Sequence, residues 1–315
     1  MAAHRTMATS TVSLQKWALA AGLALMAVWG VNFAITKVVL AELGVWPFLF
    51  IRFLAMPLFG FALLVALTRR HFRKSWPART DLLRFAAAGL VGHTAHVSLV
   101  MWGIDLSTAF SSSLVLTSSP LWTLLILALL GAEKLHGRQL AGTLVAFAGI
   151  VVFLSDKFAA GFALAGAGDL VLLVAAALFS LYTVITKPLV ERYGPLNVMC
   201  YSLLFGAPPL VLATLPAFLD APLADVSAGV WFGVFWAVAI SSFLGWIVWA
   251  WVNSVRGLAR SAPLQYLMPP IAGVVAWLTL GETFTWLKIA GAVAAMAGIA
   301  WAQLGAQSKT PPDAG

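Results

Sequence analysis

Between Trp17 and the region of Gly305, apolar runs of about twenty residues follow one another with only short polar breaks. A run of that length is what a helix needs to cross the hydrocarbon of a bilayer, at about 1.5 Å of rise per residue. Ten such spans are expected, at 17–38, 46–67, 82–104, 107–130, 139–155, 168–188, 196–218, 228–251, 258–280 and 285–305. A barrel would alternate apolar and polar residues in segments of about ten, and these runs do not alternate. The balance of residues agrees: 62% of the 315 are hydrophobic and 10% are charged, against about a quarter charged in a soluble domain. The longest breaks, 68–81, 156–167 and 219–227, are too short to bury a core of their own. The expectation is an all-α integral membrane protein whose chemistry lies inside the bilayer. The first run could pass for a signal peptide, but nine further spans follow and it is kept as a helix. Cys200 is the sole cysteine, so no intramolecular disulfide can form.

Basic residues orient the chain. With the N-terminus in the cytoplasm, the inner side collects Arg5, Lys16, Arg69, Arg70, Arg73, Lys74, Arg79, Arg84, Lys134, Arg138, Lys187, Arg192, Arg256, Arg260 and Lys309. The outer side collects Lys37, Lys157 and Lys288, and Arg52 is left inside a span. Fifteen against three follows the positive-inside rule. Both tails, 1–16 and 306–315, are therefore expected in the cytoplasm of a cell bounded by a bacterial-type inner membrane. The net charge of +8 is explained by basic loops facing anionic lipid and cytosol, and no nucleic-acid partner is expected.

The phrase Ile-Thr-Lys occurs at 35–37 and again at 185–187. When 27–39 is set against 177–189, an offset of 150 pairs Ala27, Ile35, Thr36 and Lys37 with identical residues. At offset 149, Glu133 meets Glu282, Gly142 meets Gly291, Gly149 meets Gly298 and Pro120 meets Pro269. The chain reads as two five-helix units, 17–155 and 168–305. Because five is odd, the second unit must run upside down relative to the first, about a pseudo-two-fold axis in the membrane plane. Lys37 then stands at an outer helix end and Lys187 at an inner one. Each either snorkels to the interface and complements a helix C-terminus, or serves as a gate or substrate contact.

Inverted repeats are the usual construction of secondary transporters, with the substrate near the midplane where the halves meet. Architecture alone is an analogy, so the polar residues inside the helices have to carry the mechanism. All eleven acidic residues fall at helix ends or in loops, which leaves none of the membrane carboxylates that commonly serve proton or sodium coupling. No Gly-rich phosphate loop ending in Gly-Lys-Ser/Thr is present for ATP. Glu133 and Glu282 precede the fifth and tenth spans, where a carboxylate caps exposed N–H groups.

His93 and His96 lie near the middle of the third span, three residues apart and so on one helical face. Intramembrane ionisable residues mark function by default; the alternative is that they are hydrogen-bonding glue between helices. At offset 149 they correspond to Ser242 and Gly245, with Trp246 nearby. Asn32 aligns with Tyr182, and Tyr266 precedes Pro269 and Pro270, which free backbone carbonyls about one turn earlier. Thr117, Ser118 and Ser119 before Pro120 either join the site or satisfy the backbone. Arg52, paired by offset with Ser202, either binds a substrate carboxylate or snorkels outward. A membrane enzyme using the histidine pair as base or zinc ligands would need a third ligand, and no Asp, Glu, Cys or His accompanies the pair in a neighbouring span.

Three stretches resemble the drug/metabolite transporter superfamily in its ten-helix form, a pair of EamA-type domains: WGVNFAITK (29–37), SSPLWTLLILALLGAEKL (118–135) and APLQYLMPPIAGVVAWLTLGETFTWLKIAGAVAAMAGI (262–299). The resemblance implies export of small metabolites or drugs, with no cofactor, metal or catalysis. Within the superfamily the chain looks most like the YddG-type aromatic amino-acid exporters, which implies aromatic amino acids as substrates. An aromatic zwitterion needs a donor for its carboxylate, acceptors or π faces for its ammonium, and apolar walls for its ring. His93, His96, Ser242, freed carbonyls and Trp or Tyr faces can supply these. The rival is an exporter of purines, other amino acids or drugs. The expected partners are a small-molecule substrate and the lipid bilayer, with a monomer as the working unit. Of the 14 Trp, Trp17, Trp46, Trp76 and Trp286 sit near helix ends and fit interfacial belts.

Overall fold

The computed structural model describes residues 2–68, 76–131, 137–159, 164–257 and 261–307. Among these, ten apolar helices run in chain order: α1 Ser13–Leu43, α2 Val45–Leu67, α3 Arg79–Leu106, α4 Ala109–Leu129, α5 Gly137–Ser155, α6 Gly166–Tyr193, α7 Pro195–Leu219, α8 Ala228–Arg256, and the shorter α9 Leu264–Leu280 and α10 Trp286–Ala302. No strand occurs among the described residues. Glu133, Lys134, Arg260, Lys309 and the cluster Arg69, Arg70, Arg73 and Lys74 lie outside the described residues.

The two halves repeat each other's turns. α1 passes to α2 through Gly44 at φ 80°, and α6 passes to α7 through Gly194 at φ 78°. Both need the left-handed conformation that glycine adopts without a Cβ clash. Gly131 and Gly281, which also share an offset of 150, have φ values of 68° and 65° after α4 and α9. Proline breaks are repeated as well. α4 consists of helices Ala109–Leu116 and Ser119–Leu129, and Pro120 opens the second. α9 begins as a 3-10 turn, Ala262–Leu267, and becomes α-helix at Met268–Leu280 with Pro269 in its first turn. The expected uninterrupted span 107–130 is therefore broken at Thr117–Ser118. Pro120 has no N–H for Leu116 O, and Ser119 Oγ donates to that carbonyl at 2.6 Å. Ser118 Oγ and Thr117 Oγ1 donate to Val115 O (2.6 Å) and Ser113 O (2.7 Å), which also accept backbone N–H.

α5 and α10 form the closest seam, and it is reciprocal. A Cβ on Gly149 would stand 2.3 Å from Ala295 N, and one on Gly298 2.3 Å from Ala146 N. Likewise Gly142 faces Ala302 N at 2.4 Å and Gly291 faces Phe153 N at 2.4 Å. Every contact maps onto its partner by adding 149 to one residue and subtracting it from the other, as a two-fold axis between the helices requires. Backbones approach this closely because the helices are faced with small residues, the usual basis of helix association in lipid.

Helix ends are tied across the repeats. Glu42 at the end of α1 accepts from Ser227 N (3.1 Å) and Ser227 Oγ (3.2 Å) at the start of α8. At the opposite end Asp81 of α3 accepts from Arg192 Nη1 (2.7 Å) and Tyr193 Oη (2.6 Å) of α6, while Ala78 N donates to the same tyrosine oxygen. Glu42 and Arg192 are equivalent positions, as are Ser227 and Ala78. Glu282 corrects an expectation. Its carboxylate accepts from Ala109 N (2.6 Å) and Phe110 N (3.3 Å), so it caps α4 of the other repeat rather than its own following helix. The inverted halves bring that helix start alongside it.

Because a side chain at Gly149 or Gly298 would strike backbone, Gly149→Val and Gly298→Val are expected to cost about 1–3 kcal/mol by overpacking. In detergent this should appear as a lowered Tm and loss of monodisperse protein. Gly229→Ala, whose Cβ meets nothing within 4 Å, should leave both unchanged. Equal Tm values for all three would refute the close-approach account of this seam.

Candidate functional site

The third and eighth helices depart from α-helix at equivalent places: Gly89–His96 and Trp236–Leu244 are wound as π-helix. A π turn bonds i to i+5 and so widens the helix, a distortion that recurs at functional sites. His93 and His96 both pack a ring against α6, His93 on Tyr182 and His96 on Phe179 (5.2 Å between centroids), but they bond to different helices. His93 Nε2 pairs with Ser202 Oγ of α7 at 2.9 Å, and its ring lies 5.3 Å from Trp246 and 5.6 Å from Tyr182 between centroids. His96 instead donates Nδ1–H to Ala175 O of α6 at 2.9 Å. In the neutral ring Nε2 is then left as an acceptor.

His96 lines a central cavity of about 140 Å³ near the middle of the bundle. Its polar lining comes from Asn32 of α1, Arg52 of α2, Ser119 of α4, Ser241 and Ser242 of α8, and Gln265 of α9. Trp29, Phe33, Phe179 and Trp246 supply aromatic walls. No Asp or Glu lines it among the described residues. Arg52 is only 6% exposed, and its Nε is buried without a hydrogen-bond partner, as is Asn32 Oδ1. Arg52 therefore faces inward and does not snorkel. The repeat explains its position. Arg52 is equivalent to Ser202 and Ser242 to His93, so the Arg52–Ser242 edge of the cavity mirrors the His93–Ser202 hydrogen bond across the axis.

A second cavity of about 470 Å³ lies between the ends of α6, α7 and α8, and is lined by Tyr182, Thr183, Lys187, Glu191, Val198, Met199, Asn253 and Ser254 among others. Lys187, Glu191 and Ser254 are exposed there, so this vestibule opens at the Lys187 end of the bundle. Trp29, Phe179 and Trp246 line both cavities. These three rings form the partition between them. Trp29 Nε1 is anchored to Ser241 O at 2.9 Å, and Trp246 packs on Phe179 and Tyr182 at centroid distances of 6.2 and 5.7 Å. Elsewhere on the cavity wall, Phe33, Val100 and Ile104 belong to a buried core that continues through Leu40, Phe48 and Leu49.

The two lysines of the repeated phrase stand in different states. Lys37 Nζ donates to the carbonyls of Ile104 (3.0 Å) and Asp105 (2.5 Å) at the end of α3, where the helix dipole favours a cation. The equivalent acceptors for Lys187 are the carbonyls of Asn253 and Ser254 at the end of α8. Lys187 lies beside those residues on the wall of the open vestibule.

Of the residues singled out in the sequence, Asn32, Arg52, His96, Ser242 and Trp246 meet in the central cavity, and Tyr182 and Lys187 in the vestibule. His93 backs the aromatic partition. Tyr266 does not join the site: its hydroxyl donates to Ile299 O of α10 at 3.3 Å. The 3-10 winding of Ala262–Leu267 presents Gln265 to the cavity in its place. Trp29, Phe179 and Gln265 were not identified from the sequence, although Trp29 and Phe179 are equivalent at offset 150 and that pairing was available as a signal. Among the described residues no group of three His, Cys, Asp or Glu side chains is placed to hold a metal ion.

The profile of the EamA-like transporter family matches residues 16–155 and 166–303. The chain is 32% identical over 226 residues to a "probable terminal-alkyne amino-acid exporter" of Streptantibioticus cattleyicolor, covering 71% of this chain and 73% of the relative. It is 26% identical over 285 residues to a "probable amino-acid metabolite efflux pump" of Escherichia coli, covering 88% and 91%. A solved crystal structure has the same fold, with a TM-score of 0.63 at 19% identity over 93% of this chain and 99% of that one. With both five-helix units matched, and eight membrane-length helices plus two shorter apolar ones among the described residues, this chain belongs to the EamA-like transporter family.

Proposed function

We propose that this transporter exports amino acids and related small metabolites, aromatic amino acids foremost, across the inner membrane by alternating access. It uses no ATP and no strong ion coupling, and both tails lie in the cytoplasm. The observation that carries this reading is the central cavity, where a buried cation, an amide, an imidazole acceptor and four aromatic rings converge between the halves. That set matches an aromatic zwitterion in charge and surface. The names carried by the two relatives, an amino-acid exporter and an amino-acid metabolite efflux pump, favour the same class. The absence of acidic side chains from the lining among the described residues argues against a carboxylate-based coupling ion site.

The unequal state of two equivalent lysines supports alternating access. In the conformation described here the Lys37 latch is closed on α3 and the Lys187 end is open. Inverting the roles of the two repeats makes the opposite conformation: Lys187 closes on the carbonyls of Asn253 and Ser254, and Lys37 releases Ile104 and Asp105. The aromatic partition moves with α1, α6 and α8, which carry Trp29, Phe179 and Trp246.

Two measurements test this. His96→Leu and Ser242→Leu should insert and run as monodisperse protein yet reduce uptake of labelled phenylalanine or tryptophan into proteoliposomes by tenfold or more; wild-type rates would refute the site. Lys37→Met removes two charge-assisted hydrogen bonds from one conformation only, which shifts the population toward the other by about 10- to 100-fold. Met101→Cys in the cavity wall should accordingly be labelled faster by an impermeant maleimide from the Lys37 side in the Lys37→Met background. Unchanged labelling would refute the latch. Lys37 and Lys187 labelling from the same compartment would refute the inverted arrangement itself.

A further inference from the structure

We infer that Arg52 is the carboxylate anchor of the transport site, so that a free carboxylate on the substrate is obligatory and decarboxylated, esterified or amidated analogues are not carried. The inference rests on the reading of the central cavity as the transport site.

Arg52 is buried at 6% exposure, lines the cavity, and holds its Nε without a partner. A guanidinium stays charged in any accessible pH range. Placing that charge among helices in lipid is costly unless an anion pairs with it. None of the described residues lining the cavity is acidic. Asp169, buried at the start of α6, accepts from Ser107 Oγ and lies outside the cavity lining; Glu191 lines the vestibule beyond the aromatic partition. The counter-charge that the site lacks is therefore one the cargo brings. A carboxylate is the anion that fits best, because a guanidinium presents parallel N–H donors that match its two oxygens.

The acceptors opposite complete the assignment. Asn32 Oδ1 is buried without a donor, and His96, whose Nδ1–H is committed to Ala175 O, retains Nε2 as an acceptor. Both line the same cavity, and both are suited to the ammonium of an α-amino acid. Ligand charge is thus read by three side chains from α1, α2 and α3, all in the first repeat. The second repeat contributes serines, Gln265 and aromatic surface to the lining.

The test is counterflow in proteoliposomes with matched sets: phenylalanine, its methyl ester and 2-phenylethylamine, and leucine, its methyl ester and 3-methylbutylamine. Wild type should exchange the acids and neither the esters nor the amines. Arg52→Gln should weaken apparent affinity for the acids by about 10- to 100-fold, the range of one charge-assisted hydrogen bond, and Arg52→Lys should restore part of it. Because Arg52→Gln can fail to fold, Asn32→Asp provides a second route. It supplies a resident carboxylate to the cavity and should lower acid affinity in protein with wild-type Tm. Exchange of an ester or amine as fast as its acid, undiminished acid affinity in a folded Arg52→Gln or Asn32→Asp protein, or a wild type that exchanges no acid of either set would each overturn the inference. Exchange of leucine without phenylalanine would instead overturn the aromatic preference and leave the anchor standing.

Discussion

A hydrocarbon interior offers backbone amides no water, and that constraint governs where this chain departs from regular helix. Three departures inside the bundle show how such groups are met. The break before Pro120 is filled by Thr117, Ser118 and Ser119, each bonded to a carbonyl three or four residues back. The π turn of α8 is matched by Ser242 donating to Ala237 O at 2.6 Å, five residues back. At the π turn of α3, Ser98 Oγ donates to Thr94 O at 2.6 Å, and Thr94 Oγ1 donates to Gly206 O of α7 at 2.8 Å. Irregular backbone at membrane depth is tolerated where protein or a cavity surrounds it. Here it surrounds the cavity, since the π turns and the proline breaks belong to α3, α4, α8 and α9, all of which contribute to the lining.

The duplicated unit sets the scaffold, and the differences between its copies make the site. Positions that must stay alike do so: the glycines of α5 and α10 pack on each other's backbone, and the turn glycines keep a left-handed conformation. Positions that face the midplane have diverged. Arg52 stands opposite Ser202, His93 opposite Ser242, Asn32 opposite Tyr182, and Trp29 opposite Phe179. A symmetric pocket would place equal charges at both ends of a ligand. Divergence instead puts the cation, Asn32 and His96 in one repeat and Ser241, Ser242 and Gln265 in the other, with two aromatic rings from each, which suits a molecule with a charged head and an apolar body.

Three aromatic side chains join this site to the conformation of the whole. Trp29, Phe179 and Trp246 come from three different helices and wall both cavities, so a relative movement of the halves changes the passage between them. His93 lies behind this partition. Its bond to Ser202 ties α3 to α7, and its ring supports Trp246. The histidine that the sequence singles out as a ligand candidate thus packs behind the cavity wall and bonds between helices.

The number of spans, the duplication and its inversion could be read from the sequence, because hydrophobic length and an odd helix count leave few alternatives once ten runs and an offset of about 150 are seen. Asn32, His96, Ser242 and Trp246 could be identified as cavity candidates for a related reason: polar and aromatic groups at mid-span have few places to go. The sequence could not decide between paths that differ by the rotation of a helix. Whether Arg52 turned in or snorkelled out, which helices His93 and His96 bonded to, and whether Tyr266 or Gln265 met the cavity depended on packing and local winding. A π turn in α3 carries the histidines and a 3-10 turn before Pro269 carries Gln265 and Tyr266, and neither turn has a periodicity signal in an apolar run. Arg52 is on regular helix, and its direction is set by how α2 packs. The roles of Lys37 and Glu282 depended on the tertiary structure in the same way, because each binds the end of a helix distant in the chain, and only packing brings those ends within reach.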